Sequence, residues 1–188
     1  YPSRWVNSIY WDSLALADVQ TTQQGHPRRA KLRLRWYGLE ETVQAVLEFK
    51  YKDGLLGGKR RHEVPGVVCL TWPWRDILDV VLRDAPPVFY MAARMRPRPS
   101  TLIRYYRHYY ALPDGSIRLT LDQEMRTYPQ VFGTRPNLTR ENPRRRHTVL
   151  ELKADRQETA RLSRLADRLG LPWSRHSKYA SASAAGVG

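Results

Sequence analysis

The chain has 188 residues, 41% of them hydrophobic and 27% charged, with a formal net charge of +14; that composition fits one folded domain with a real core and excludes a disordered chain. No run approaches the roughly 18 to 20 apolar residues of a membrane span, and no charged-then-apolar opening resembles a secretion signal. Lys and Arg number 32 against 18 Asp and Glu, a balance that points to a polyanionic partner: nucleic acid, an anionic membrane surface, or a phosphate-rich small molecule or polymer.

In chain order, residues 4–11 are rich in Trp, Val, Ile and Tyr and are predicted as a strand. Residues 30–37 give a second strand ended by Gly38, and residues 43–52 a third, closed by Asp53-Gly54 and a flexible Gly57-Gly58 pair. Cys69 is the only cysteine, so there is no internal disulfide. Flanked by Val67, Val68 and Leu70, it reads as a core thiol that fits a reducing compartment, and a cytoplasmic location is expected. Residues 73–82 open on Pro73 and place Trp74, Ile77, Leu78, Val81 and Leu82 on one stripe, which predicts a helix stopped by Pro86-Pro87.

Residues 102–112 and 116–125 flank Pro113-Asp114-Gly115 and predict a hairpin. The proline-, asparagine- and arginine-rich residues 128–145 read as a mobile loop before a strand at 148–154. Residues 155–169 form an amphipathic helix with Leu162, Leu165, Ala166 and Leu169 on its buried stripe and Gly170 as its C-terminal cap. The small-residue tail 180–188 is expected to be disordered, which leaves 1–179 as the folded domain.

The informative feature is the placement of charge within the strands, because residues two apart share a face. Lys31, Arg33 and Arg35 oppose Leu32, Leu34 and Trp36; Glu48, Lys50 and Lys52 oppose Leu47, Phe49 and Tyr51. Arg118, Thr120 and Asp122 oppose Ile117, Leu119 and Leu121, and Glu151 with Lys153 opposes Leu150 and Leu152. An ordinary solvent face mixes Ser, Thr, Gln and both charge signs, whereas these faces are dominated by cations. Turned inward, they make an α+β fold in which an antiparallel β-barrel forms a cationic tunnel with a few flanking helices. Cations gathered there repel one another and lose hydration unless an anion fills the space. Arg suits that anion through bidentate phosphate contacts and Lys as a point charge.

Several segments then resemble, in order, the VTC (vacuolar transporter chaperone) polyphosphate polymerase domain of the CYTH or triphosphate tunnel superfamily. They are residues 6–13 (VNSIYWDS), 31–38 (KLRLRWYG), 47–50 (LEFK), Tyr106-Arg107, 117–122 (IRLTLD), 150–153 (LELK) and Ser177-Lys178-Tyr179. The resemblance implies a tunnel of antiparallel strands, a divalent Mn or Mg ion, and transfer of the terminal phosphoryl group of ATP to inorganic polyphosphate. By position, Arg33, Arg35, Lys50, Lys59, Arg107, Arg118, Arg175 and Lys178 match the family's phosphate-binding cations, and Glu151 its metal-binding glutamate. The chain begins at what corresponds to the family's second element, so the usual opening strand is expected to be missing.

On this reading Arg33, Arg35, Lys50 and Lys59 hold the triphosphate, and Arg107 and Arg118 the phosphate being transferred or attacked. Arg175 and Lys178, with Ser177, close one mouth; Lys31 and Lys153 extend the phosphate-binding face; Glu151 is the leading metal-ligand candidate and Glu48 the second choice. His62, His108 and His147 form no metal or nucleophile pattern and are surface or lining residues. Hydrolysis of triphosphates in the same tunnel, and non-catalytic binding of polyphosphate or of nucleic acid on the aromatics of 104–110, stay open as alternatives. Cations confined to strand faces with Glu among them suit a metal and phosphate site better, so no nucleic-acid partner is expected.

Overall fold

The structure is a computed structural model, and it describes residues 1–143, 147–170 and 177–183. In chain order its elements are β1 (Arg4–Asp12), α1 (Ala17–Gln23), β2 (Arg29–Tyr37), β3 (Thr42–Val43), β4 (Ala45–Asp53), β5 (Leu56–Glu63), β6 (Val68–Cys69), α2 (Trp74–Leu82) and α3 (Pro87–Met95). There follow β7 (Arg98–Ala111), β8 (Ile117–Pro129), β9 (Val149–Ala154), a 3-10 turn (Arg156–Glu158), α4 (Thr159–Leu169) and α5 (Lys178–Ser183). None of these helices is long and apolar enough to cross a membrane.

Seven strands form one antiparallel sheet in the order β5-β4-β2-β1-β7-β8-β9, and β3 pairs with β6 apart from it. Lys50 on β4 lies within electrostatic reach of Glu151 and Lys153 on β9, although five places in the sheet separate those strands. The sheet therefore curls into a half-barrel, the tunnel-like α+β fold that the alternating strands predict.

Its two faces follow the period of two. On the convex side Ile9, Trp11, Leu32, Leu34, Trp36, Leu47 and Leu102 pack against Trp74, Ile77 and Val81 of α2 and Phe89 and Ala92 of α3. Burying these large side chains, at about 1.5–3 kcal/mol each, supplies the main drive for folding. A smaller apolar cluster lies on the concave side, where Val6, Tyr10, Ile103, Tyr105 and Met125 meet Val19 of α1 and Tyr179 and Ala182 of α5.

Several expectations need correction. The glycine pair does not end the third strand but runs into β5. A Cβ at Gly58 would lie 2.6 Å from Cζ of Tyr51, its partner across the ladder, so the glycine admits the ring rather than loosening the chain. Pro86-Pro87 stops α2, yet it also starts α3, because proline at a first-turn position forfeits no helical hydrogen bond. Residues 130–143 are the expected loop, held by hydrogen bonds, but Tyr128 and Pro129 belong to the preceding strand. β8 runs to Pro129, and beyond it the buried Gln130 exchanges hydrogen bonds with the backbone of Asn137, at 2.8 Å each way. The side chain of Asn137 in turn binds the carbonyls of Pro129 and Arg140 at 3.0 and 2.9 Å.

The tail expected to be disordered is helical through Ser183, with Tyr179, Ala180 and Ala182 buried; residues 184–188 lie outside the described residues. Helix α1 carries no apolar periodicity and was not foreseen. It is held instead by Asp12, whose carboxylate accepts the backbone N–H groups of Ser13, Asp18 and Val19 at 2.7, 3.0 and 3.2 Å. Val67 is exposed rather than core, and Cys69 is half-buried with its Sγ 3.0 Å from the Thr71 hydroxyl.

Candidate functional site

Strand parity and register bring the charged faces together on the concave side. Arg33 of β2 stands opposite Glu48 of β4, which stands opposite Arg61 of β5, and Lys50 stands between Lys31 and Lys59. Glu48 is the counter-ion of this half of the trough. One of its oxygens accepts Arg33 Nε and Nη2 at 2.7 and 2.6 Å with Arg35 Nη1 at 3.9 Å. The other takes Lys59 Nζ at 2.8 Å with Arg61 Nε at 3.7 Å. Burial alone raises the pKa of this carboxyl, but Arg33 and Arg35 outweigh it and hold it down at about 2.

Arg33 also donates through Nη1 to the Tyr10 hydroxyl at 3.0 Å, and Arg35 donates to Ser8 Oγ at 3.2 Å. Burial pushes the Tyr10 phenol up, yet Arg33, Arg35 and Lys31 pull it net below the ordinary value. These contacts fix two guanidinium groups in place. Their remaining N–H donors have directions set by the protein rather than by solvent.

The second half of the trough has its own counter-ion. Asp122 of β8 is fully buried; its two oxygens accept Arg107 Nε and Nη2 at 2.6 and 2.8 Å, and Lys178 Nζ of α5 lies 2.7 Å away. Although burial raises its pKa, the hydrogen bond from Arg107 and the charge of Lys178 bring it below the usual carboxylate range. Glu151 of β9 lies 3.2 Å from Lys153 and 3.9 Å from Arg107. Its side chain remains 40% exposed.

Helix α5 spans the concave face between these halves. Ser177, just before it, accepts Lys31 Nζ at 2.8 Å, Lys178 reaches Asp122, and Tyr179 stacks on Tyr10 with ring centroids 4.4 Å apart. The Tyr179 hydroxyl donates to Asp12 at 2.7 Å and lies 2.8 Å from the Ser100 hydroxyl. A cavity of about 640 Å³ opens beside this helix, lined by Arg29, Lys31, Lys50, Lys52 and Ser177 among others. Burial first, then the like charges of Lys50, Arg29 and Arg33, lowers the pKa of Lys31. Lys50 is lowered likewise, by desolvation and by Arg33.

The trough therefore gathers Lys31, Arg33, Arg35, Lys50 and Lys59 on one side and Arg107, Arg118, Lys153 and Lys178 on the other. Arg175 lies outside the described residues. The side chains of Lys50 and Arg118 make no hydrogen bond or ion pair with the described residues. The sequence reading missed Asp122 as a buried counter-ion and Arg61, Tyr10 and Tyr179 as lining groups. Asp122 carried a legible signal, since it shares parity with Arg118 on β8. His62 and His108 are lining or surface groups, paired with the Arg83 carbonyl at 3.1 Å and with Ser3 Oγ at 3.0 Å.

A divalent ion of the Mn or Mg kind needs several hard oxygens. Among the described residues no three His, Cys, Asp or Glu side chains converge on one point. Both Glu48 and Glu151 have cations near both oxygens, but the nearest to Glu48 lie at 2.6 and 2.8 Å while those of Glu151 lie at 3.2 and 3.9 Å and its side chain is 40% exposed, which leaves Glu151 the more accessible carboxylate.

No curated protein matches the chain. Residues 2–186 match the sequence profile of the VTC domain, nearly the whole length. Together with the curled sheet and its cationic trough, that match shows that the chain belongs to the VTC domain family, a family related to polyphosphate polymerases.

Proposed function

We propose that this chain is a polyphosphate polymerase that transfers the terminal phosphoryl group of ATP to a growing inorganic polyphosphate held in the trough. The observation that carries the reading is the excess of inward cations over Glu48, Asp122 and Glu151, with Lys50 and Arg118 unpartnered among the described residues. An anion with charge repeated along its length matches that excess better than a single phosphate does.

Phosphoryl transfer asks little covalent chemistry of a protein and depends on in-line positioning and neutralisation of charge on the transferred group. Arg33 and Arg35, fixed through Glu48, Tyr10 and Ser8, orient the triphosphate without solvent reorganisation. Lys31, Lys50 and Lys59 neutralise its outer oxygens. Arg107, held by Asp122, and Arg118 bind the polymer end that attacks, and Lys153 and Lys178 extend that side. Glu151 would hold a divalent ion with phosphate oxygens as its other ligands, and such an ion supplies further neutralisation of the transferred group.

Incubation with ATP and Mn²⁺, followed by gel analysis, tests the proposal. A phosphate polymer that lengthens with time is expected. Release of inorganic phosphate without polymer would point to the hydrolytic alternative, and no turnover despite tight polyphosphate binding would leave a binding module.

A further inference from the structure

The β4–β5 hairpin ends at the rim of the cavity, which Gly54 and Leu55 help to line, in an apolar apex that anion binding does not explain. Asp53 pairs with Leu56, so the turn consists of Gly54, at φ 58°, and Leu55. Such turns normally carry Gly, Asn, Asp or Ser. Here Leu55 is 100% exposed at the apex and Leu56 is 79% exposed beside it. Neither side chain serves the core. Beside them stand Arg28, whose side chain is 85% exposed, and Lys52 with its ladder partner Arg29, while the carboxylate of Asp53 is neutralised by Arg28 at 3.1 Å.

We propose that this hairpin tip docks on an anionic lipid bilayer, with Leu55 and Leu56 entering the acyl boundary and Arg28, Arg29 and Lys52 meeting the headgroups. Exposed leucines at a narrow apex fit a soft apolar phase better than a groove on a folded partner, because a two-residue tip offers little area for a protein interface. These cations supply the attraction that anionic lipid adds to apolar insertion. No membrane-crossing helix is involved; the contact is peripheral. It does not rest on the reaction proposed for the trough, although Arg29, Lys52 and Leu55 also line the adjoining cavity.

The test is co-sedimentation of the full chain with phosphatidylcholine vesicles that contain or lack phosphatidylserine. Binding is expected only with phosphatidylserine, and it should weaken as salt rises. Leu55→Ser with Leu56→Ser should reduce vesicle affinity by about 10- to 100-fold, the scale set by losing the partial burial of two leucines, at an unchanged melting temperature. Leu55→Trp, a better interfacial anchor, should tighten it. Absence of binding, or equal binding by the double variant, would overturn the proposal and assign any lipid affinity to the trough cations alone. Loss of a concentration-dependent dimer in the double variant, without vesicle binding by the parent, would overturn it in favour of contact between copies.

Discussion

Glu48→Gln removes the counter-ion of Arg33, Arg35, Lys59 and Arg61 while keeping the shape of the side chain. The folded carboxyl sits at about 2 against an ordinary 4.5, a difference of roughly 3 kcal/mol in favour of the charged, folded form. The folded pKa is depressed, so this stability is fully present above the unfolded value. It is lost as pH falls from about 4.5 towards about 2. At neutral pH the variant should melt roughly 6–12 °C lower, given about 2–4 °C per kcal/mol for a domain of this size. Tripolyphosphate should restore part of the loss, because it returns negative charge to the same cations, and its stabilising effect should be larger in the variant than in the parent. Differential scanning calorimetry with and without the ligand measures both quantities. An unchanged melting temperature, together with equal ligand shifts, would refute the role of Glu48 as internal counter-ion.

Asp122→Asn leaves Arg107 and Lys178 uncompensated and should destabilise the fold by about 3–5 kcal/mol, as loss of one partner of a buried pair does; urea unfolding would measure it. Tyr179→Phe keeps the stack on Tyr10 but loses the hydroxyl contacts to Asp12 and Ser100, and should cost about 1–3 kcal/mol, with earlier proteolytic cleavage near α5. Arg35→Ala should weaken tripolyphosphate binding by about 1.5–3 kcal/mol in calorimetric titration. Glu151→Gln should abolish metal-dependent turnover and leave polyphosphate affinity equal or tighter, since a negative charge is removed; normal turnover would exclude Glu151 as a metal ligand.

The cationic face was legible because strand geometry forces Lys31, Arg33 and Arg35 onto one side whatever the rest of the chain does. The same holds for Arg118 with Asp122 and for Glu151 with Lys153. What alternation does not carry is register between strands distant in sequence. Only pairing sets Glu48 against both Arg33 and Arg61, or brings Arg107 onto Asp122, so carboxylates that read as isolated emerged as counter-ions. Local rules also misled where tertiary contact reversed them. Gly58 signals a break until the Tyr51 ring that crosses it is known, and Pro87 a stop until its first-turn position is known. The small residues after Tyr179 resemble a loose tail because their burial depends on β1, β7 and α1 rather than on their own pattern.

In the proposed reaction both halves of the curled sheet grip one phosphate chain. Lys50 on β4 and Arg118 on β8 test it most directly, since neither holds another described residue in place and a polymer alone would connect them. Titration of long-chain polyphosphate into the parent, Lys50→Ala, Arg118→Ala and the double variant should show each single change weakening affinity by about 10-fold or more. The melting temperature without ligand should stay the same or rise. Affinities unchanged in both single variants would contradict the trough as the binding site.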